Sequence, residues 1–197
     1  MNRFEKLDDL VKEGNGYLCT STVLENGISK PTLAEYVKDR NMERVSRGVY
    51  LAADAWPDDL YQLSLSNSSI VFSHETALFL HGLMEREPKC TSVTVRAGYN
   101  ATHLRRQGIH VYQVKPELED LGVVEVRTSF GNTVRAYDME RTICDIVRHK
   151  KGMDVQIFRY AMQDYMDQPY KNLNRLMEYA KRLRIEMAVR TYTEVLL

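Results

Sequence analysis

Apolar residues in the first quarter of the chain recur at helical spacing, interrupted by short turns. Residues 3–13 carry apolar side chains on one helical face, which predicts an amphipathic helix that ends at the Gly-Asn-Gly turn of 14–16. A brief second helix is predicted over 20–25, with Thr20 or Ser21 as its cap and an Asn-Gly dipeptide after its end.

A third helix and a hairpin follow. Ser29 has the side chain of a helix cap, and Pro31 suits the first turn because the backbone N–H that proline lacks has no partner there. Residues 42–51 combine strand-forming residues with an Arg-Gly turn, which predicts a β-hairpin. Three short helices and a hairpin follow the order of a winged helix-turn-helix, so we predict this fold for residues 1–56.

Residues 57–197 mix strand and helix patterns and are predicted to form a second domain, beginning near the Trp-Pro-Asp-Asp stretch. Short β-rich runs predict strands at 92–96, 109–114, 123–126 and 133–136. Helical spacing predominates from residue 138, and a last helix is predicted over 185–197. The predicted class is therefore α+β: an N-terminal winged helix-turn-helix followed by a mixed α/β C-terminal domain that ends in helices.

Composition is that of an ordinary globular chain. No apolar run approaches the ~18–20 residues that cross a bilayer, and the first residues lack the apolar core of a signal peptide, so we expect a cytoplasmic protein without a membrane partner. Cys19, Cys90 and Cys144 are far apart and form no Cys-x-x-Cys pair. This pattern predicts neither a disulfide framework nor a metal site, and nothing in it calls for a cofactor.

The overall charge restricts the DNA-binding interpretation, because Lys plus Arg and Asp plus Glu both total 27, which leaves a net charge of zero. Positive charge for DNA must therefore be local. Residues 29–47 hold five basic and three acidic side chains, whereas residues 3–25 hold three basic and five acidic ones. We predict base or adjoining phosphate contacts for Ser29, Lys30, Thr32 and Tyr36, and backbone phosphate contacts for Lys38, Arg44 and Arg47.

A second basic surface is predicted in the C-terminal domain, where no acidic residue occurs between positions 88 and 116. Its members are Arg96, Arg105, Arg106, Arg135, Arg148, Lys150 and Lys151. Three interpretations are open for this surface: a solvated face balanced by acids elsewhere, a second nucleic-acid contact, or a docking site for an acidic partner.

Candidate catalytic groups are few. His74 and His81 lie on one predicted helix with Glu75, but their spacing is not that of a zinc-binding HExxH motif. Neither a dinucleotide-binding nor a P-loop glycine pattern occurs. Arg141 and Asp145 are four residues apart, which favours a structural ion pair. We therefore predict that the protein is not an enzyme.

Three stretches of the chain are similar to one known family, the AbiEi-type antitoxins. Residues 43–51, ERVSRGVYL, resemble the wing of that family. Residues 73–83, SHETALFLHGL, resemble the helix that opens its second domain, and residues 137–147, YDMERTICDIV, resemble a later helix motif. With the order of the N-terminal elements, the resemblance spans nearly the whole chain.

The resemblance implies the antitoxin of an AbiE abortive-infection system, a type IV toxin–antitoxin pair that serves phage defence. In that family the winged helix represses its own promoter at inverted repeats, which would bring two copies together on the DNA. The C-terminal domain counters a nucleotidyltransferase toxin without needing a stable complex. Two alternatives stay open: a nucleic-acid-modifying enzyme, and a ligand-responsive winged-helix transcription regulator outside toxin–antitoxin systems.

Overall fold

The computed structural model describes residues 2–196, with side chains through Glu194, as two compact units. Unit 1 comprises the described residues up to Ser68 together with Thr128–Asn132, and unit 2 comprises Ser69–Arg127 and the described residues from Thr133 onwards. Both contain helices and strands, so the chain is a mixed α/β protein. No helix in the described range is long and apolar enough to span a membrane.

Unit 1 has four helices and three short strands among its described residues. In chain order they are α1 (Arg3–Glu13), β1 (Tyr17–Cys19), α2 (Thr20–Glu25), α3 (Lys30–Asp39), β2 (Glu43–Ser46), β3 (Val49–Leu51) and α4 (Asp59–Ser66). The three predicted helices and the predicted hairpin are confirmed as elements. β1 had no counterpart in the hydrophobic pattern, because three residues are too few to show alternation.

Capping explains where α3 begins but not where α2 begins. Ser29 accepts a hydrogen bond from the backbone N–H of Thr32 over 3.3 Å, as predicted for the cap of α3. The predicted cap of α2 is wrong, because the capping position is Cys19 rather than Thr20 or Ser21, and no side chain there makes a capping bond.

A small antiparallel sheet has the strand order β1-β3-β2. Tyr17 of β1 and Glu43 of β2 both lie opposite Leu51 of β3. The turn between β2 and β3 uses Gly48 at a φ of 77°, which L side chains rarely adopt. The Gly48 carbonyl accepts from the backbone N–H of Thr20 over 2.7 Å, so the hairpin turn is anchored to the start of α2.

Apolar side chains of the helices, of β1 and of the connecting segments form the main core of unit 1. Its buried members are Leu7, Leu18, Val23, Ile28, Leu33, Tyr36 and Met42. Burial of a large apolar side chain contributes about 1.5–3 kcal/mol, so this cluster is the main force that fixes the orientation of α3.

A buried carboxylate extends unit 1 beyond the predicted domain boundary at residue 56. Asp58 caps α4 by accepting from the Tyr61 backbone N–H, and it accepts from the Thr128 hydroxyl over 2.6 Å and the Asn132 amide over 2.8 Å. The Asp58 backbone N–H donates to the Tyr17 hydroxyl over 2.7 Å. These bonds connect α4 and residues 128–132, which we call the tip, to the small sheet. The compact unit therefore runs through α4 instead of ending before it.

Unit 2 combines five strands with six helices among its described residues. They are β4 (Val71–Phe72), α5 (His74–Leu80), β5 (Ser92–Arg96), α6 (Thr102–Arg106), β6 (His110–Val114), β7 (Val123–Arg127), β8 (Thr133–Tyr137), α7 (Met139–His149), α8 (Val155–Asp167), α9 (Leu173–Arg182) and α10 (Glu186–Leu196). The four predicted strands are confirmed, and α10 corresponds to the predicted last helix; residue 197 lies outside the described residues.

The sheet of unit 2 has the strand order β6-β5-β4-β8-β7. β5 pairs with β6 and β4 pairs with β8 in parallel, whereas β4–β5 and β7–β8 are antiparallel. β5, α6 and β6 follow one another as a parallel crossover unit, and β6 and β7 are the two edges of the sheet. The central strand β4 has only two residues, which is why the sequence pattern missed it.

The C-terminal helices pack together in a second core. Eight of the eleven residues of α7 are buried, including the charged residues Glu140, Arg141 and Asp145. Ile143 and Ile146 of α7 belong to the same apolar cluster as residues of α8, α9 and α10. The apolar face of α7 is therefore a core face, and the helix also brings charge into the interior.

Candidate nucleic-acid interface

The third helix of unit 1 has a buried face and an exposed face. Leu33 and Tyr36 are buried against the rest of the unit, and the Tyr36 hydroxyl donates to the Asp8 carboxylate of α1 over 2.7 Å. Lys30 and Lys38 are exposed. The helix is thus held by one face and presents the other to solvent, which is the arrangement a groove-binding helix requires.

Tyr36, predicted to contact bases or adjoining phosphates, is instead buried in unit 1. Its side chain is only 2% exposed, and its ring packs edge-on against Phe4 with centroids 5.3 Å apart. Burial, followed by the hydrogen bond to Asp8, raises the pKa of the Tyr36 phenol to about 12. Tyr36 lies three residues after the core residue Leu33, and at helical spacing such a position belongs to the same face.

Arg40 follows α3 and differs from its basic neighbours because its charge is paired. Its guanidinium donates to the Asp8 carboxylate over 2.9 Å and lies 3.9 Å from Asp39. The hydrogen bond to Asp8 raises the pKa of Arg40. The Asp8 carboxylate therefore accepts hydrogen bonds from both Tyr36 and Arg40, and it balances the charge of Arg40 within unit 1.

The four cations that are predicted to contact DNA are exposed: Lys30, Lys38, Arg44 and Arg47. Within the described residues, none of them has a carboxylate within 4.0 Å. Arg44 donates from Nε to the Ser46 backbone oxygen over 3.3 Å, which keeps its guanidinium at the hairpin without neutralising it. Because these cations lack an internal counter-ion, an external anion is the partner that electrostatics favours.

Ser29 and Thr32 are partly committed to the helix cap. Their hydroxyl oxygens lie 2.9 Å apart, and Ser29 also accepts from the backbone N–H of Thr32. A hydroxyl has one donor hydrogen, and the contact between the two hydroxyls uses only one of them. One O–H at the start of α3 is therefore still able to donate to a phosphate or base.

The residues of the predicted second basic surface occupy several places in unit 2. Arg96 ends β5, Arg105 and Arg106 end α6, Arg135 lies on β8, Arg148 lies on α7, and Lys150 and Lys151 form the short turn after it. Arg135 lies 3.5 Å from the Asp120 carboxylate, and the Lys150 ammonium lies 4.7 Å from the Tyr192 ring centroid. The set therefore includes cations that already have partners within the unit.

The histidines of α5 do not meet in a shared site. His81 lies at the C-terminal end of α5, with its Nε2 2.7 Å from the Tyr137 backbone oxygen. His74 begins α5 and is 2% exposed. Across the described residues, no group of three or more His, Cys, Asp or Glu side chains is placed to hold a metal ion. Each histidine is engaged with its own local partners.

A buried polar cluster around His74 had no signal in the sequence. The Thr94 hydroxyl donates to Ser73 over 2.8 Å, and the Ser73 hydroxyl lies 2.9 Å from His74 Nδ1. His74 Nε2 lies 3.1 Å from His149 Nδ1, and the His74 ring stacks on Tyr112 at 3.5 Å. Burial, and then the neighbouring His149, hold the pKa of His74 well below its usual value. His74 is therefore neutral at ordinary pH.

Arg141 and Asp145 form the predicted structural pair, and the interior encloses it. Both Asp145 oxygens accept from Arg141 Nε over 3.2 Å, and Arg141 Nη1 donates to the carbonyls of Leu118 and Leu121. The guanidinium carbon lies 4.0 Å from the Tyr137 ring centroid. Burial raises the pKa of Asp145, and the guanidinium opposes that shift.

The described elements define a mixed α/β protein of two compact units. No family model matches the chain, and no curated protein is significantly similar to it in sequence. Among solved structures, it is similar to the crystal structure of the protein RV2827C from Mycobacterium tuberculosis, with a TM-score of 0.59 and 10% identity. The match covers 92% of this chain and 72% of that chain. At this identity the likeness shows a shared fold alone.

Proposed function

We propose that unit 1 is a winged helix-turn-helix module that binds double-stranded promoter DNA. Its order of elements, α1-β1-α2-α3-β2-β3, matches that fold, with α3 in the position of the recognition helix and β2–β3 in the position of the wing. The anchoring of the β2–β3 turn to the start of α2 supports a hairpin held firmly enough to lie along a phosphate backbone.

One observation carries this proposal: the cations of α3 and of the hairpin are exposed without an internal counter-ion, whereas Arg40 is paired with Asp8. Lys30 and Arg47 mark the start of α3 and the hairpin turn, the two parts that reach DNA in winged-helix proteins.

The number of cations also supports binding as a pair. Each phosphate that a basic side chain neutralises contributes about 0.9 to the slope of log affinity against log salt concentration. Four cations in one copy are fewer than the about 6–10 contacts of strongly salt-dependent DNA-binding proteins. Two copies on an inverted repeat would reach that range, so we propose self-association on DNA.

For the whole chain we propose an antitoxin that represses its own operon and neutralises a cognate nucleotidyltransferase toxin. The support is the resemblance of residues 73–83 and 137–147 to AbiEi-type antitoxins. These stretches contain α5 and most of α7, many of whose side chains are buried in unit 2. The two stretches therefore contribute mainly to the fold of unit 2. The surface that would oppose the toxin would be formed by other, exposed residues of that unit.

A mobility-shift titration on the DNA upstream of the gene tests the DNA-binding proposal. The double variant K30A/R47A should bind that DNA more weakly and lower the salt slope by about 1.8 for each copy bound, which corresponds to two lost phosphate contacts per copy. The control is R3A/K12A, which removes the same charge from exposed positions of α1. Equal losses in the two variants, or no loss in either, would contradict the assignment of α3 and the hairpin.

A growth assay tests the antitoxin proposal separately. The chain is expressed together with the proposed cognate nucleotidyltransferase toxin, and the toxicity of that enzyme is measured. Rescue by the wild type and by K30A/R47A is expected, because repression and neutralisation would reside in different units. Failure of the wild type to rescue growth would favour a regulator outside toxin–antitoxin systems and would leave the DNA-binding result unaffected.

A further inference from the structure

The edge strand β6 of unit 2 has hydrogen-bonding groups that no other strand in the described part of the chain uses. β6 pairs with β5 on one side and is the last strand of the sheet on the other. His110 donates its backbone N–H to Thr91, and the Val114 carbonyl accepts from Ala97, so even-numbered residues of β6 direct their backbone groups to the β5 side. Val111 and Gln113 therefore direct theirs outward.

An open edge of this kind recognises an extended peptide through the main chain. Val111 and Gln113 together offer two N–H groups and two carbonyls, at the spacing of one further strand. Gln113 is exposed, and Val111 is half-buried. Nucleic acid cannot reproduce this alternation of donors and acceptors, whereas any protein segment in extended conformation can.

The charge around β6 indicates what kind of segment the edge would accept. The stretch from 88 to 116, which contains β5, α6 and β6, has five Lys or Arg residues and no Asp or Glu, although the whole chain is neutral. Arg105 and Arg106 end α6 just before β6, and Lys115 directly follows it; all three are exposed. None of the three has an ion-pair partner within the described residues.

The opposite edge of the same sheet differs in charge. β7 carries Glu125 and Arg127, and Glu117, Glu119 and Asp120 precede it. Charged side chains within the strand are a usual protection of an exposed edge; β7 has two of them, whereas β6 has no Asp, Glu, Lys or Arg. The charged residues nearest to β6 in sequence, Arg106 before it and Lys115 after it, are both basic, and the first acidic residue, Glu117, follows only after Pro116. This local charge repels a second copy of β6 and attracts a strand that carries the opposite charge.

We propose that β6 is a docking edge for an acidic, extended segment of a partner protein, which adds to the sheet as a sixth strand beside β6. The main-chain groups of Val111 and Gln113 bind the segment backbone, and Arg105, Arg106 and Lys115 pair with its carboxylates. This inference does not depend on the role of unit 1 in DNA binding.

The first test uses the full chain and a fluorescent peptide that alternates glutamate and valine, with anisotropy as the readout. Two comparison peptides separate charge from strand pairing: one alternates lysine and valine, and the other alternates glutamate and proline. The Glu-Pro peptide keeps the negative charge, but its prolines have no backbone N–H to donate and disfavour a paired strand. Binding of the Glu-Val peptide alone is expected. Equal binding of the Glu-Pro peptide, or no binding of either, overturns the proposal.

A proline substitution on the edge tests the main-chain contact. Gln113→Pro removes an outward-directed N–H, which an edge strand tolerates, together with the side-chain amide that donates to the Tyr99 carbonyl. Gln113→Ala is the matched control, because it removes the same amide but keeps the N–H. Affinity for the Glu-Val peptide should fall about tenfold in Q113P and remain within about twofold in Q113A. Equal affinity of the two variants overturns the role of the edge.

Amide hydrogen exchange is measured on the wild-type protein, so its result does not depend on whether a variant folds. Adding the Glu-Val peptide should slow exchange at Val111 and Gln113 and leave the β7 amides unchanged. Protection at β7 instead, or at neither edge, contradicts the proposal.

Further experiments test the contribution of the basic residues and two other ligands of the edge, a nucleic acid and a second copy of the chain. R105A/R106A should weaken peptide binding and flatten its salt dependence, while R127A/R159A, which removes the same charge from β7 and α8, should not. A single-stranded oligonucleotide that binds more tightly than the Glu-Val peptide, and competes with it, would identify a phosphate surface instead. Sedimentation that shows dimerisation abolished by Q113P would identify a second copy as the occupant.

Discussion

The two units of this protein use charged residues in different ways. In unit 1 the cations of α3 and the hairpin are exposed and lack carboxylate partners among the described residues, apart from the pairing of Arg40 with Asp8. In unit 2 the ion pair of α7 is enclosed: Arg141 is 1% exposed and Asp145 is 4% exposed. Identical residue types are therefore exposed to solvent in the one set and enclosed in the interior in the other.

The difference shows that environment, and not residue type, decides what a charge does. A charge removed from water is costly unless every partner is in place, so Arg141 and Asp145 tolerate little change. An exposed cation costs little to keep and little to remove, so Lys30 or Arg47 is available for binding. The comparison can be tested by substitutions that should have large effects in the interior and small ones at the surface.

The largest effect is expected at the buried ion pair. Arg141→Met leaves the Asp145 carboxylate uncompensated in the interior and should lower the free energy of unfolding by about 3–5 kcal/mol. Chemical denaturation followed by circular dichroism measures it. The control is Arg175→Met, since Arg175 is half exposed and lies 4.0 Å from its acidic partners, so its loss should cost under about 1 kcal/mol. Similar losses for both variants would contradict the distinction.

Asp58 provides the corresponding test in unit 1, where a single buried carboxylate accepts three hydrogen bonds. Asp58→Ala removes the cap of α4 and leaves the Thr128 and Asn132 donors unsatisfied, so a loss of about 2–3 kcal/mol is expected. The control, Asp59→Ala, changes an exposed neighbour and should be close to neutral. A near-neutral result for D58A would show that this carboxylate does not hold the tip at residues 128–132 in place.

The pH dependence of stability should reveal the buried imidazole in unit 2. The folded protein lowers the pKa of His74 below its unfolded value of about 6.5, so below that pH the unfolded chain binds more protons. Stability is therefore fully present above about pH 6.5 and is lost as the pH falls, by up to about 1.4 kcal/mol per pH unit.

His74→Asn tests this assignment, because asparagine accepts the positive φ of 51° at this position but does not titrate. The slope of stability between pH 6.5 and 5 should be smaller in H74N than in the wild type. His110→Asn, at an exposed site, should keep the wild-type slope. A slope unchanged in H74N would assign the titration to another group.

The smallest effect is expected at Tyr36, and it sharpens the boundary between structure and recognition within α3. Tyr36→Phe removes the hydrogen bond to Asp8 and should cost about 1 kcal/mol of stability. Affinity for the upstream DNA should remain that of the wild type, because the side chain is buried. A selective loss of DNA affinity, with stability unchanged, would restore Tyr36 as a reading residue.

Local patterns predicted most of the elements from the sequence. The cap at Ser29, the hairpin over 42–51, the four longer strands and the amphipathic α7 all follow from interactions between residues close in sequence. The elements that were missed, β1, β4 and α6, have five residues or fewer. Such short elements exist only because tertiary neighbours complete them.

The candidate site was less predictable than the fold. Helical periodicity places Tyr36 beside Leu33, yet a tyrosine at that position fits both a core and a groove, and only the presence of Asp8 on α1 decides between them. The pairing of Arg40 with the same carboxylate joins residues far apart in the chain. The Ser73, His74 and His149 cluster is likewise long-range, and no spacing rule relates its members.

The tip at Thr128–Asn132 has a consequence for how the protein is made. Unit 1 is discontinuous in sequence, because its buried Asp58 receives two hydrogen bonds from residues synthesised long after α4. At a translation rate of about 5–20 residues per second, the N-terminal segment waits some seconds on the ribosome with this carboxylate incompletely satisfied. A polypeptide released at the end of α4 would keep the proposed DNA-reading helix but would lack part of its own polar interior. Nascent chains of increasing length should therefore acquire protease resistance in the first segment only after the tip has emerged from the ribosome.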